Sequence, residues 1–249
     1  MFKDVIGDWP TQERFILTSC DDKYFDQYFP RFYKTYSEHW KLPIHVHIID
    51  PSDTSMQRLD KLDVTYTHCT TDKSVLRFPY SYETYCQAQR FILLGHNLLE
   101  NQSVIIADVD SYALRHPNET QRHTLQSGMA FTEYNGRLMA TFCNFHHSQR
   151  TQARQSAIKM QHLVEQTDTI GVDQLVIKEI FKTLPYNNLK HEEWIRHFDN
   201  RTESDAKKHN QCLIYHEKGT RGKIKKVETT WTDIEKVPLS VARQGPPLK

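Results

Sequence analysis

The chain has 249 residues, 38% of them apolar, and its 32 Lys and Arg against 31 Asp and Glu give a formal charge of +1. That length is enough for one sizeable core, and the balanced charge argues against a nucleic-acid or membrane surface held by net charge alone. Mean hydropathy is −0.69, no apolar run approaches the roughly 20 residues of a membrane-spanning helix, and the opening stretch MFKDVIGDWPTQERF has no signal-type apolar segment, so a cytoplasmic location is expected.

The first strand signal is RFILTSC, residues 14–20. In the stretch after it, Tyr24, Phe25, Tyr28, Phe29, Phe32, Tyr33 and Tyr36 recur at helical spacing. Asp21 or Asp22 is placed to cap that helix, and Pro30 falls inside the pattern, where a kink is expected. IHVHIID alternates and meets Pro51, which reads as a second strand, and DVTYTHC is a shorter third. YSYETYCQAQRFILLGHNLLEN reads as a long helix with one apolar stripe. SVIIADVD, residues 103–110, is then a nearly continuous apolar strand of the kind buried on both faces of a parallel sheet.

This alternation of strand and helix defines an α/β fold around a parallel sheet. Past Asp110 the pattern changes. Two apolar runs flank Asn135-Gly136, a strong hairpin signal. Helices are expected over residues 149–166 and 172–183, and QCLIYHE is a late strand candidate. The basic, then Pro- and Gly-rich tail, about 225–249, is expected to be loosely held. No repeat or clear linker divides the chain, so residues 1–249 are read as one domain.

Cys20, Cys69, Cys86, Cys143 and Cys212 form no CxxC pair and are odd in number, which suits reduced thiols used as small apolar residues. The 14 histidines include no HExxH and no tract, so a zinc site has little support.

Asp108 and Asp110 are the chemically informative pair. Charge at the end of a buried strand is costly unless it is paired or holds a metal. In open α/β sheets ligands bind outside the carboxyl ends of the strands, and on extended backbone residues i and i+2 point the same way. Two carboxylates converging on one point repel unless a cation lies between them. Mg²⁺ and Mn²⁺ take such ligands together with substrate phosphates, and the ion can neutralise a diphosphate leaving group. The plain alternative is that Asp108 and Asp110 serve two successive turns. A second chemistry is a phosphohydrolase of haloacid-dehalogenase type with Asp108 as nucleophile. That motif normally opens its fold, whereas three strand candidates precede it here.

At this point the residues resemble a family. The order of motifs is similar to that of GT-A-fold glycosyltransferases, most of all the retaining family 8 that includes glycogenin and bacterial lipopolysaccharide galactosyltransferases. FILTSCDDKYF resembles the first strand and base-holding loop; YCQAQRFILLGHNLLENQSVIIADVDS, the helix with a basic residue followed by the DxD strand; VDQLVI, the Asp-Gln helix start; and IYHEKGTRGK, the late His-x-x-Gly segment followed by a lysine. Together they span residues 14–223.

The resemblance implies a transferase that moves a hexosyl group from a nucleotide diphosphate sugar, most simply a UDP-sugar, to a hydroxyl acceptor on a glycan, lipid-linked carrier or protein, with retention. It implies metal binding, Mn²⁺ or alternatively Mg²⁺, by Asp108, Asp110 and His216. Arg90, Gly219 and Lys223, with Arg221 as an alternative, would hold the donor's diphosphate side. Asp173 and Gln174 would meet the sugar, and Ser19 and Tyr24 the base. The bland alternatives are a surface cation for Arg90, an N-cap for Asp173, core packing for Tyr24, and a solvated basic turn for Gly219 to Lys223. Two departures bear on the phosphate contacts and the anomeric outcome. Lys223 stands seven residues after His216, where the family has six followed by Pro-Trp, and the family's Asn-x-Gly after the DxD is replaced by a stretch around Asn144. A non-catalytic sugar-nucleotide or glycan-binding module on the same fold is the third function class.

Overall fold

A computed structural model describes residues 5–72, 81–134, 137–167, 171–190, 194–197, 212–216 and 229–234. β2 (Arg14–Asp21), β3 (Ile44–Ile49), β4 (Thr65–Cys69) and β5 (Ser103–Ala107) lie parallel, with β3 then β4 stepping outward on one side of β2 and β5 on the other. The connection therefore reverses direction at β2 and β5, which opens a crevice at their carboxyl ends. β1 (Ile6–Gly7) adds antiparallel to β4.

The hairpin after the DxD is longer than a small appendage and belongs to the main sheet. β8 (Arg137–His146) pairs antiparallel with β5 and with β7 (Ala130–Tyr134), and β9 (Asn187–Lys190) closes that edge in an eight-stranded sheet. The Asn135-Gly136 turn and residues 225–228 and 235–249 of the tail lie outside the described residues.

Period-2 alternation explains the continuous apolar runs. Ile16, Ile105 and Ala107 face a core with α1 (Asp22–His39), while Phe15, Leu17, Val104 and Ile106 face one with α3 (Ser81–Asn97), α5 (Arg150–Gln166) and α6 (Val172–Phe181). α3 and α5 touch at Gly95, where a Cβ would lie 2.3 Å from the Ala153 carbonyl oxygen. β3 has no solvated face despite its alternation. His45 and His47 are both fully buried in a chain of hydrogen bonds. His45 meets Thr65 and Thr67 at 2.9 and 3.1 Å, His47 meets Thr67 at 2.9 Å and Cys69 at 3.3 Å, and Cys69 meets Tyr85 of α3 at 3.3 Å.

Asp21 caps α1, accepting from the Tyr24 amide at 2.8 Å. Pro30 does not end this helix. Its missing N–H leaves the Asp26 carbonyl without an intrahelical donor, and the Trp231 indole N–H of α7 (Trp231–Ile234) is shared between that carbonyl at 3.2 Å and the Asp26 carboxylate at 3.1 Å. Arg58 of α2 (Asp53–Leu59) pairs with Asp26 and lies over the Trp231 ring. All five cysteines are free thiols. No helix among the described residues is long and apolar enough to cross a membrane.

A second, three-stranded sheet positions the site. β6 (Ser111–Ala113) pairs antiparallel with β11 (Ile214–His216), which pairs parallel with β10 (Ile195–His197). Sequence patterning assigns no element to β6, β9 and β10, which are short and take their structure from their neighbours, nor to α4 (Glu119–Gln126), a two-turn helix opened by an Asn118–Gln121 capping box.

Candidate metal centre and cleft

β5 ends at Ala107, three residues sooner than its pattern suggests. Asp108 opens a turn in which the Ser111 amide donates to the Asp108 carbonyl at 3.0 Å and the Ser111 hydroxyl does so at 2.6 Å. Asp suits the first position of such a turn. Convergence of the two carboxylates thus comes from a tight turn between β5 and β6 rather than from extended backbone. The Asp108 amide remains anchored on the Thr141 carbonyl of β8 at 3.0 Å.

His216 reaches this turn through strand pairing. The β6–β11 register sets it opposite Ser111, beside Asp110. Its Nε2 lies 3.2 Å from Asp108 Oδ2 and 3.1 Å from Asp110 Oδ1. One ligand atom from each of the three residues falls within 4.8 Å of the others. Burial alone would lower the His216 pKa, but the Asp110 charge and the hydrogen bonds to both carboxylates outweigh it and push it up to about 10. The imidazolium therefore supplies the positive charge that two adjacent carboxylates require.

Arg90 is not a surface cation. It is 5% exposed, and its Nη2 lies 2.6 Å from Asp108 Oδ1 and 3.2 Å from Asp173 Oδ2. Burial opposes its charge, but Asp108 and Asp173 more than compensate and raise its pKa. Burial lifts the Asp173 carboxyl to about 6 against the pull of Arg90. Asp173 is not the N-cap of α6 either. Gly171 is, in the left-handed region at φ 82°, and its amide donates to the Gln87 side chain at 3.3 Å.

These groups line one cleft of about 880 Å³ at the carboxyl ends of β2 and β5. Ser19, Tyr24, Arg90, Asp108, Asp110, Asp173, Gln174 and His216 all border it. Tyr24 is half-open at 36% exposed, its ring 5.1 Å from that of Tyr28, so it stands apart from the buried aromatic stripe of α1. The Ser19 hydroxyl donates to the Cys86 carbonyl at 3.4 Å. Gly219, Arg221 and Lys223 lie outside the described residues. Asn144 has a structural use: its amide donates to the Leu125 and Gly128 carbonyls at 2.9 and 2.8 Å.

Motif reading missed Gln87, Arg137, Met139 and Thr141, which also line the cleft. Two signals pointed to them: Gln87 is one turn before Arg90 on α3, and residues 137 and 139 share one face of β8. No protein-family model matches the chain, and no curated protein matches it. What fold and site define together is an α/β protein with a mostly parallel, Rossmann-like sheet and a polar cleft at its switch point, in which two carboxylates and an imidazole converge.

Proposed function

We propose that this protein is a GT-A-type, metal-dependent glycosyltransferase that moves a hexosyl group from a nucleotide diphosphate sugar, a UDP-sugar by resemblance, to a hydroxyl acceptor, acting in the cytoplasm. One observation carries the reading. His216, far along the chain from the DxD, lies 3.2 and 3.1 Å from the two carboxylates at the mouth of a switch-point cleft. A haloacid-dehalogenase-type site requires no such imidazole.

The donor set of two carboxylates and one imidazole suits Mn²⁺ better than Mg²⁺. Asp108 Oδ2, Asp110 and His216 Nε2 would hold the ion while Asp108 Oδ1 stays on Arg90. When bound, the ion supplies charge stabilisation to a departing diphosphate. Arg90 holds Asp108 in orientation, and Asp173 with Gln174 at the start of α6 offers hydrogen bonds to the transferring sugar. Tyr24 offers an open ring face to the base. Transfer with retention needs no strong protein nucleophile, and none is assigned.

The test is thermal unfolding with a panel of nucleotide sugars, with and without Mn²⁺. A ligand at a hundred times its Kd stabilises by about 2.7 kcal/mol. A UDP-sugar is expected to raise the melting temperature only with the metal, and His216→Ala to abolish that dependence. Absence of any shift on folded protein refutes the reading. Stabilisation without transfer or donor hydrolysis would indicate a binding module, and phosphate release from a phosphomonoester would indicate the hydrolase.

A further inference from the structure

A diphosphate entering the cleft adds negative charge to a wall that already carries Asp108, Asp110 and Asp173. Arg90, the cation the resemblance assigns to this task, is buried and faces two carboxylates with one charge. It contributes little net positive potential to an incoming anion. Apart from His216, which is held against Asp108 and Asp110, two further cations line the cleft, Lys23 in the first turn of α1 and Arg137 at the start of β8. Both are exposed, and neither forms an ion pair with another described residue.

Arg137 is the better placed of the two. It lines the cleft together with Met139, Ala140 and Thr141 of the same strand, and the Thr141 carbonyl carries the Asp108 amide at 3.0 Å. β8 therefore runs from the DxD turn out along one wall, with the arginine about 14 Å of strand away at ~3.4 Å per residue, so its guanidinium meets a ligand that extends outward from the DxD turn rather than the turn itself. The guanidinium fork can take two oxygens of one phosphate or carboxylate, which a lysine cannot. Lys23 also follows Asp21 and Asp22 directly in sequence.

We infer that Arg137 is the anion clamp of this cleft, gripping paired anionic oxygens of the substrate. Those oxygens belong either to the donor diphosphate or to an acidic group on the acceptor. The inference rests on the transferase reading for the ligand's identity, and on charge and placement for the residue.

The experiment titrates wild type, Arg137→Ala and Arg137→Lys by calorimetry with Mn²⁺ and UDP, with uridine, and with inorganic pyrophosphate. Glucuronate and glucose are then titrated into the protein loaded with Mn²⁺ and UDP. A donor clamp predicts that Arg137→Ala weakens UDP and pyrophosphate at least tenfold, leaves uridine within twofold, and is partly rescued by lysine. An acceptor clamp predicts unchanged UDP affinity and loss of glucuronate binding, with glucose unaffected. Equal behaviour of wild type and Arg137→Ala in both arms overturns the clamp while leaving the transferase reading intact. If wild type binds pyrophosphate but not UDP, the donor reading falls, and a tenfold loss of pyrophosphate in Arg137→Ala still supports the clamp. If wild type binds neither, both fall. As Arg137 is exposed, the melting temperatures of the apo variants are expected to match wild type.

Discussion

Acidification to pH 4 is expected to cost this protein a large part of its stability through His45 and His47. Both imidazoles are fully buried, and burial drives each pKa from 6.5 down to about 3, with the His45 charge lowering that of His47 further. A folded pKa below the unfolded one means the contribution is complete above pH 6.5 and is lost as pH falls toward 3. At 1.36 kcal/mol per unit, each histidine forfeits about 3 kcal/mol by pH 4, or roughly 7 for the pair. Asp173 acts in the opposite sense. Its folded pKa of about 6 lies above the carboxylate value of 3.8, so its protonation restores roughly 2 kcal/mol as pH falls from 6 to 4. The net loss from these three groups is about 4–5 kcal/mol, against a typical total of roughly 5–15. Urea denaturation at pH 7.5, 6, 5 and 4 measures it, and His47→Gln should lower stability at pH 7.5 but flatten the acid slope by about one proton. Stability constant within about 1 kcal/mol from pH 7 to 4, or imidazolium signals for both residues in folded protein at pH 5, would refute the reasoning.

Two further outcomes follow from the same structure. Arg90→Met leaves Asp108 and Asp173 short of their shared counter-charge, so unfolding at pH 7.5 should become easier by about 3–5 kcal/mol. The deficit should shrink at pH 5 as Asp173 protonates, and a uniform deficit across pH would contradict the triad. Trp231→Phe removes the indole donor to the Asp26 carbonyl and should cost about 1 kcal/mol. Pro30→Ala restores the helix's own N–H to that carbonyl, so the Trp231→Phe cost should fall in its background to the share carried by the Asp26 carboxylate. Strict additivity in that double-mutant cycle would show that the two sites do not share the carbonyl.

Much of the candidate site is legible in the sequence, because many of its parts are local. The strand-and-helix alternation from residue 14 to 110 rests on hydrophobic periodicity, and periodicity is set by each segment's own buried face. Asp108 and Asp110 announced themselves because carboxylates at the end of an apolar run need a partner. Less visible was the means by which they converge. Ser111, a short polar residue with no pattern of its own, folds the chain back into a turn with its amide and hydroxyl.

Amino-acid order alone determined the α/β class, the strand that carries the DxD to the carboxyl end of the parallel sheet, and the chemical types that collect there, since each follows from residues near one another along the chain. Only tertiary structure decided that His216 sits opposite Ser111, that Arg90 is buried between two carboxylates, and that Arg137 is left exposed on the cleft wall. Such pairings are set by strand register and by which charges meet after burial, and both depend on long-range packing that no local pattern encodes.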